Sequence, residues 1–184
     1  MDSNVKLYHI DRAGTLEEGQ TIYLLDYCLL EQEIDPLLKE MVLHIKRMFP
    51  DGITNHGHYY IFDHLSDNDK IVSTLDEIIF EVVRKSKYPD KLSRFQSFFA
   101  FNKDGLASPK PSGWIEDGAN VYEVTADRCE RRDMSLTHGN SSISISYYAN
   151  RYWTNQISEN PLFEYLLKPP VRILRKISSV DDIV

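Results

Sequence analysis

Three histidines close together give this sequence its clearest metal-ligand spacing. His56 and His58 form a His-x-His pair, and His64 follows with Asp63 beside it. In a β-strand, a His-x-His pair places both imidazoles on one face, an arrangement that suits a divalent metal. No acidic second shell or open-site motif follows this stretch, so we assign no metal ligands. A metal-dependent hydrolase that uses these histidines is kept as an alternative.

Two groups of basic residues have the composition needed to contact the phosphates of a dinucleotide or of a nucleic-acid strand. Their members are Arg128, Arg131 and Arg132 in the first group, and Lys168, Arg172, Arg175 and Lys176 in the second. A solvated face that balances nearby acidic residues has the same composition, and both interpretations stay open. The glycine-rich motifs of Rossmann and P-loop proteins do not occur, and neither does the GxSxG motif of serine hydrolases.

The composition is that of one ordinary folded domain with an acidic balance. The chain has 184 residues, of which 42% are hydrophobic, and a formal net charge of −7. The length suits one domain over residues 1–184, and the charge argues against a broad basic surface that follows a duplex. Cys28 and Cys129 show no paired spacing, and no apolar run approaches the about 18 residues of a membrane span. We expect a cytoplasmic protein with no membrane partner.

Two amphipathic helices are the clearest elements of the pattern. The first has Asp35 as its N-cap and Pro36 at the first helical position, and it ends before residues 50–52. The second runs from about residue 68 to residue 87, with basic residues in its last turn. Its predicted buried face consists of Ile71, Val72, Leu75, Ile78, Ile79, Val82 and Val83. We expect the three histidines to lie in a loop between the two helices.

Short β-rich runs make up most of the remaining pattern. They cover residues 5–10, 20–24, 97–101, 120–124, 161–167 and 171–177. Residues 142–154 begin with strand-like alternation, which predicts a strand or loop that leads into a short helix. Two helices between an early strand pair and a later set of strands indicate an α+β fold without regular βαβ alternation.

The chain resembles the ADP-ribosyltransferase superfamily in four stretches that occur in the family's order. The opening stretch has Tyr8 and His9 at the end of an apolar strand, then a turn and a Leu-x-x-Gly stretch at Leu16 and Gly19. Residues 97–100 (SFFA) are similar to the aromatic second signature, and residues 120–128 are similar to the central strand. Residues 163–174 (FEYLLKPPVRIL) resemble the last signature, a glutamate entering a strand. The resemblance extends from about residue 6 to residue 177 and implies a split β-sheet core with N-terminal helices.

The resemblance implies NAD as the substrate and assigns roles to individual residues. His9 would bind the nicotinamide ribose, and Phe98 or Phe99 would stack on nicotinamide. Many relatives have tyrosine at this second position, and phenylalanine keeps the stacking but loses the phenolic hydrogen bond. The catalytic carboxylate would be Glu164 or, in a rival alignment to the rifampin-modifying branch, Asp133. Strand alternation by itself would instead place Glu164 on a solvent face.

Two arginines could hold the pyrophosphate of NAD, because a guanidinium can bind phosphate through two hydrogen bonds. They are Arg94, just before the aromatic strand, and Arg12, in the first turn. The implied activity is transfer of ADP-ribose from NAD to an unidentified macromolecular acceptor, a protein or a nucleic acid. By analogy with the family, such a chain would be a bacterial toxin or phage-defence effector with a neutralising antitoxin protein as partner. The alternative is a catalytically inert domain of this fold that binds a partner protein or a nucleotide.

Overall fold

The computed structural model describes residues 5–26, 36–62 and 68–178. Within these ranges the strands are β1 (Leu7–Asp11), β2 (Thr21–Ile22), β3 (Phe98–Ala100), β4 (Asn120–Ala126), β5 (Cys129–Asp133), β6 (Phe163–Leu167) and β7 (Val171–Lys176). The α-helices are α1 (Pro36–Met48), α2 (Asn55–Phe62), α3 (Asn68–Lys87), α4 (Lys103–Leu106), α5 (Pro109–Glu116) and α6 (Ser142–Trp153). Across the described ranges, no helix has the length and apolar character that crossing a membrane requires.

The strands form two antiparallel sheets. The first has the order β1-β4-β7-β2, and the second has the order β3-β6-β5. The inner faces of both sheets contribute to one apolar cluster, which contains Leu7, Phe98, Val124, Leu167 and Ile173. The predicted α+β class is therefore confirmed, with two sheets packed around a shared core.

One isolated bridge joins the edges of the two sheets. The amide of Tyr8 in β1 donates to the carbonyl of Phe101, and the amide of Phe101 donates to the carbonyl of Tyr8, both at 2.8 Å. Phe101 directly follows β3, so β1 and β3 lie edge to edge at this point. The residue after Tyr8 is His9, whose backbone pairs with Tyr122 of β4. The fold thus places His9 where the edges of the two sheets meet.

Two of the predicted connections are helices instead. His56 and His58 lie in α2, which begins because the Thr54 hydroxyl accepts a hydrogen bond from the Gly57 amide at 3.1 Å. The strand or loop predicted at the start of residues 142–154 is wrong, because Ser141 and Ser144 form a capping box that starts α6 at Ser142. Asp35, His64 and Asp63 lie outside the described residues.

The helix predicted for residues 68–87 is confirmed as α3, but its orientation differs from the prediction. Leu75, Ile78 and Val82 are exposed, whereas Ile79 and Val83 are partly buried. The buried positions of this helix include four charged residues besides Phe80, namely Asp76, Glu77, Glu81 and Arg84. A helix can bury such charges when each finds a partner of opposite charge or a hydrogen bond. The partners of Glu77 belong to the candidate site.

Candidate functional site

His9 is held at the junction of the two sheets by a hydrogen bond to the neighbouring sheet. Its Nδ1 lies 2.7 Å from the carbonyl oxygen of Phe99 in β3, and its ring lies 4.1 Å from the ring of Phe98. A carbonyl oxygen can only accept, so Nδ1 carries the proton and donates it. Burial lowers the pKa of His9, although the bond to Phe99 opposes that shift. The imidazole is therefore neutral near pH 7, and its Nε2 is a hydrogen-bond acceptor.

Phe98 and Phe99 point to opposite faces of β3, as strand alternation requires. Phe98 is packed in the core between the sheets and meets the His9 ring. Phe99 lies on the helix-covered face, where its ring is 4.9 Å from the His56 ring and 4.9 Å from the Arg94 guanidinium carbon. Phe99 keeps partial exposure and Phe98 is buried, so Phe99 is the more accessible of the two rings.

His56 reaches this region because α2 packs very close to the turn that precedes β3. A Cβ on Gly57 would lie 2.1 Å from the carbonyl oxygen of Phe95, so only glycine allows this approach. The Nε2 of His56 lies 2.7 Å from the hydroxyl of Tyr60. Burial, together with the charges of Arg94 and Arg12, lowers the pKa of His56 to about 3. His56 is therefore neutral at physiological pH.

Glu164 is buried on the helix-covered face of β6, where only 3% of the residue is exposed. Its Oε1 accepts hydrogen bonds from Nη1 of Arg94 and from the Tyr152 hydroxyl, the latter at 2.8 Å. Burial raises the pKa of Glu164, while Arg94 and the Tyr152 hydrogen bond act in the opposite direction. The solvent-face alternative for this residue is therefore wrong, because Arg94 and Tyr152 compensate the cost of burying its carboxylate.

Arg94 holds two carboxylates and is not a surface cation. Its Nε and Nη2 donate to the two oxygens of Glu77 at 2.7 and 2.8 Å, and its Nη1 donates to Glu164 and, at 2.7 Å, to the Tyr152 hydroxyl. Desolvation alone would lower the pKa of Arg94, but Glu164 and Glu77 outweigh it and raise that pKa. The predicted pyrophosphate contact is not available in this arrangement, because each terminal nitrogen already has a partner.

Asp133 ends β5 and organises the chain that follows. Its carboxylate accepts backbone hydrogen bonds from Ser135 at 3.0 Å, Ser158 at 2.7 Å and Leu162 at 3.2 Å. In the strand register Arg132 lies opposite Glu164, so alternation puts Asp133 and Glu164 on opposite faces of the second sheet. Asp133 thus acts as a local cap in this arrangement and does not join Glu164.

Arg12 is presented by a turn that the preceding residue builds. The Asp11 carboxylate accepts hydrogen bonds from the amides of Ala13, Gly14 and Leu16 at 3.1, 2.9 and 2.9 Å. Gly14 has a φ of 68°, a left-handed conformation that favours glycine. Arg12 itself is exposed at the tip of this turn, which follows β1 directly.

Arg12 and Lys110 share one aromatic partner. The guanidinium carbon of Arg12 lies 4.6 Å from the centre of the Trp114 ring, and Nζ of Lys110 lies 5.7 Å from it. Lys110 is in the first turn of α5, and Trp114 is one turn further along the same helix. Neither cation forms an ion pair with a described carboxylate. Arg12 and Lys110 therefore form an exposed positive edge next to one indole ring.

Electrostatic interactions connect this positive edge to the buried network. Burial lowers the pKa of Lys110, the Glu164 carboxylate opposes that shift, and the charges of Arg12 and Arg94 add to it. The charge of Arg12 also lowers the pKa of His56. Direct contacts also link the site: His9 binds the carbonyl of Phe99, the Phe99 ring packs on Arg94, and Arg94 binds Glu164. The charges of Arg12 and Lys110 act on this group from the positive edge.

A comparison with protein families decides the family of the chain. Residues 7–179 match the family described as "Protein of unknown function (DUF2441)". The chain belongs to the DUF2441 family. The matched range contains every residue of the candidate site, from His9 to Glu164. No curated protein matches the sequence.

Several residues of the site in this DUF2441 protein carried no recognisable signal in the sequence. Glu77 is not among the residues of the predicted buried face of its helix, and Tyr152 lies in a stretch with mixed strand and helix character. Lys110 and Trp114 at i and i+4 were a usable signal, because this spacing puts both side chains on one face of a helix. Because the short helix α5 was not predicted, the helical spacing of Lys110 and Trp114 was not recognised.

The histidine stretch does not assemble a metal site in the described part of the chain. His56 and His58 are two positions apart in α2, which points their side chains in divergent directions. No group of three metal-binding side chains occurs among the described residues. A surface depression near the ends of β4 and β7 is lined by Ile115, Asn120, Lys176 and neighbours, without any histidine or carboxylate.

Proposed function

We propose that this chain is an NAD-dependent ADP-ribosyltransferase that cleaves the bond between nicotinamide and ribose and passes ADP-ribose to a macromolecular acceptor. The observation that carries the proposal is the neutral His9 imidazole, fixed across the junction of the two sheets with Nε2 as an acceptor. A ribose hydroxyl can donate to that nitrogen, which would orient the sugar for bond cleavage. The split two-sheet arrangement and the order of the four sequence stretches support the same proposal.

The proposed chemistry assigns a distinct role to the carboxylate. As the C1′–N bond breaks, its electron pair leaves with neutral nicotinamide and positive charge develops on the ribose. Glu164 would stabilise that charge through the oxygen that Arg94 and Tyr152 do not bind. The acceptor nucleophile then forms a bond to C1′ and loses its proton. Phe99 would stack on nicotinamide, because its ring is partly exposed whereas Phe98 is buried.

The positive edge of Arg12 and Lys110 supplies a phosphate site that Arg94 does not. Two exposed cations on one indole ring can bind the pyrophosphate of NAD, whereas Arg94 is occupied by carboxylates. The acceptor would be a protein or a nucleic acid. A toxin or phage-defence role with a neutralising partner protein rests on analogy with the resembled superfamily.

The alternative function is a catalytically inert domain that binds a nucleotide or a partner protein. The favouring observation is that both carboxylates proposed for catalysis are buried and hydrogen-bonded, Glu164 to two side chains and Asp133 to three amides. Such a domain would bind NAD or ADP-ribose without releasing nicotinamide.

Binding of NAD should depend on the positive edge. We expect Arg12→Gln and Lys110→Gln each to weaken the affinity for NAD and for ADP-ribose about tenfold, because each removes a charged hydrogen-bond donor to phosphate. Nicotinamide, which has no phosphate, should bind all variants alike. Calorimetric titration with the three compounds measures this difference.

Arg128→Gln is the matched control for these variants, because Arg128 is also exposed but is paired with Glu130. Its affinity for NAD should equal that of the wild type. Equal affinities in all four proteins would refute the pyrophosphate assignment of Arg12 and Lys110.

A further inference from the structure

Four buried side chains form a continuous hydrogen-bonded network behind the proposed catalytic carboxylate. Glu77 comes from α3, Arg94 from the turn before β3, Tyr152 from α6 and Glu164 from β6. All four are at most 5% exposed. The network thus links α3, the turn before β3 and α6 to the Glu164 carboxylate of β6.

The network is asymmetric about the guanidinium of Arg94. Glu77 binds the edge made of Nε and Nη2 with two parallel hydrogen bonds of 2.7 and 2.8 Å. This two-point contact fixes the plane and the direction of the guanidinium, which a single contact would not do. The remaining nitrogen, Nη1, is thereby directed at Glu164 and at the Tyr152 hydroxyl.

The contacts on Glu164 are also one-sided. The hydrogen bonds from Arg94 and Tyr152 both end on Oε1. Two donors on one oxygen hold the carboxylate in place and leave Oε2 as its other acceptor. The direction in which Oε2 points is therefore set by residues that lie behind the site.

We propose that Glu77 is a positioning residue, which fixes Arg94 so that Arg94 and Tyr152 hold Glu164 by Oε1 and leave Oε2 for the substrate. This inference rests on the proposed function, because it needs Glu164 to act on NAD. It extends that function to a residue on α3 that touches no substrate and that is not part of the predicted buried face of its helix.

The charges around Glu164 determine the direction in which its pKa changes when a neighbouring side chain is replaced. The groups that face it or influence it are Glu77, Arg94, Tyr152, Tyr60, Lys110 and, across the strand pair, Arg132. Among these, the charge of Glu77 raises the pKa of Glu164, and the hydrogen bond from Tyr152 lowers it, against a larger upward effect of burial. Loss of the Glu77 charge by itself would therefore lower this pKa, whereas loss of the Arg94 contact that Glu77 holds in place, or of the Tyr152 hydrogen bond, would raise it.

The experiment compares the pH dependence of NAD turnover in the wild type, Glu77→Gln and Tyr152→Phe. Turnover that needs ionised Glu164 falls as the pH falls through its pKa. Tyr152→Phe should shift this acid limb to higher pH, and Glu77→Gln should do the same, because Arg94 without its two-point contact no longer holds Glu164. Both variants should lower kcat more than they change KM, because Glu164 acts mainly in the transition state.

Glu81→Gln is the matched control for a purely structural effect. Glu81 lies one turn further along α3, is 3% exposed, and binds Arg84 with two hydrogen bonds of 2.9 and 2.8 Å. Its substitution should reduce thermal stability and leave the acid limb in place. Thermal unfolding of all variants separates loss of fold from loss of positioning. Where Glu77→Gln does not fold, Glu77→Asp takes its place, because aspartate keeps the charge but is too short to hold Arg94 in the same way.

The outcomes separate this inference from the proposed function. A shift to higher pH in both variants supports the positioning role of Glu77, whereas a shift to lower pH in Glu77→Gln reflects only the loss of its charge and overturns that role. Turnover with an acid limb that stays in place, or that moves equally in Glu81→Gln, overturns that role and leaves the transferase intact. A folded wild type without NAD turnover overturns both.

Discussion

Replacing His9 with alanine is expected to abolish NAD turnover while the protein stays folded. The substitution removes the Nε2 acceptor assigned to the ribose and also the hydrogen bond that joins the imidazole to β3. Loss of orientation of the reacting sugar costs at least about 100-fold in rate. Release of nicotinamide measures the rate, and thermal unfolding together with circular dichroism checks the fold.

His44→Ala is the control for this prediction. His44 is an exposed histidine on α1, away from the junction of the sheets, and its loss should leave turnover unchanged. A folded His9→Ala protein that retains wild-type turnover would remove His9 from the site. An unfolded variant would assign His9 a structural role at the junction.

Glu164→Gln should reduce NAD turnover by about 100-fold or more and should change the affinity for NAD only a few-fold. Glutamine keeps the shape of the side chain and an oxygen for Arg94, but it cannot stabilise positive charge on the ribose as a carboxylate does. Measurement of kcat, KM and the dissociation constant of NAD distinguishes the two effects.

Asp133→Asn is the companion variant, since Asp133 was the rival carboxylate. We expect it to lose stability, because the Asp133 oxygens accept three backbone hydrogen bonds, and to keep turnover for as long as it folds. Unchanged turnover in Glu164→Gln together with a loss in folded Asp133→Asn would reverse the assignment.

The elements of this fold were predictable where local signals were strong. The limits of α3 agree with the predicted range, since apolar spacing and a basic last turn define a helix by themselves. The predicted strands also occur, although β2 covers only Thr21–Ile22. Local patterns failed for α6, where SISIS alternation suggested a strand but the capping box at Ser141 starts a helix.

The site was only partly predictable, because its geometry depends on contacts between distant residues. His9 was singled out by the resemblance to the ADP-ribosyltransferase superfamily, and the structure puts it in the middle of β1 at the junction of the sheets. The role of Arg94 was not accessible, because its partners lie 17 and 70 positions away in the sequence. The same contacts explain why α3 turns Glu77 inward and exposes Val82, so that only part of the predicted face, including Ile79 and Val83, packs on the core.

The most direct test of the central claim is incubation of the purified protein with NAD labelled in its adenylate, alone and with bacterial protein or nucleic-acid extract. The proposed transferase predicts release of nicotinamide and transfer of label to a macromolecule, both absent in His9→Ala. Binding of NAD by the folded wild type with no release of nicotinamide in any extract would contradict the transferase and favour the inert domain.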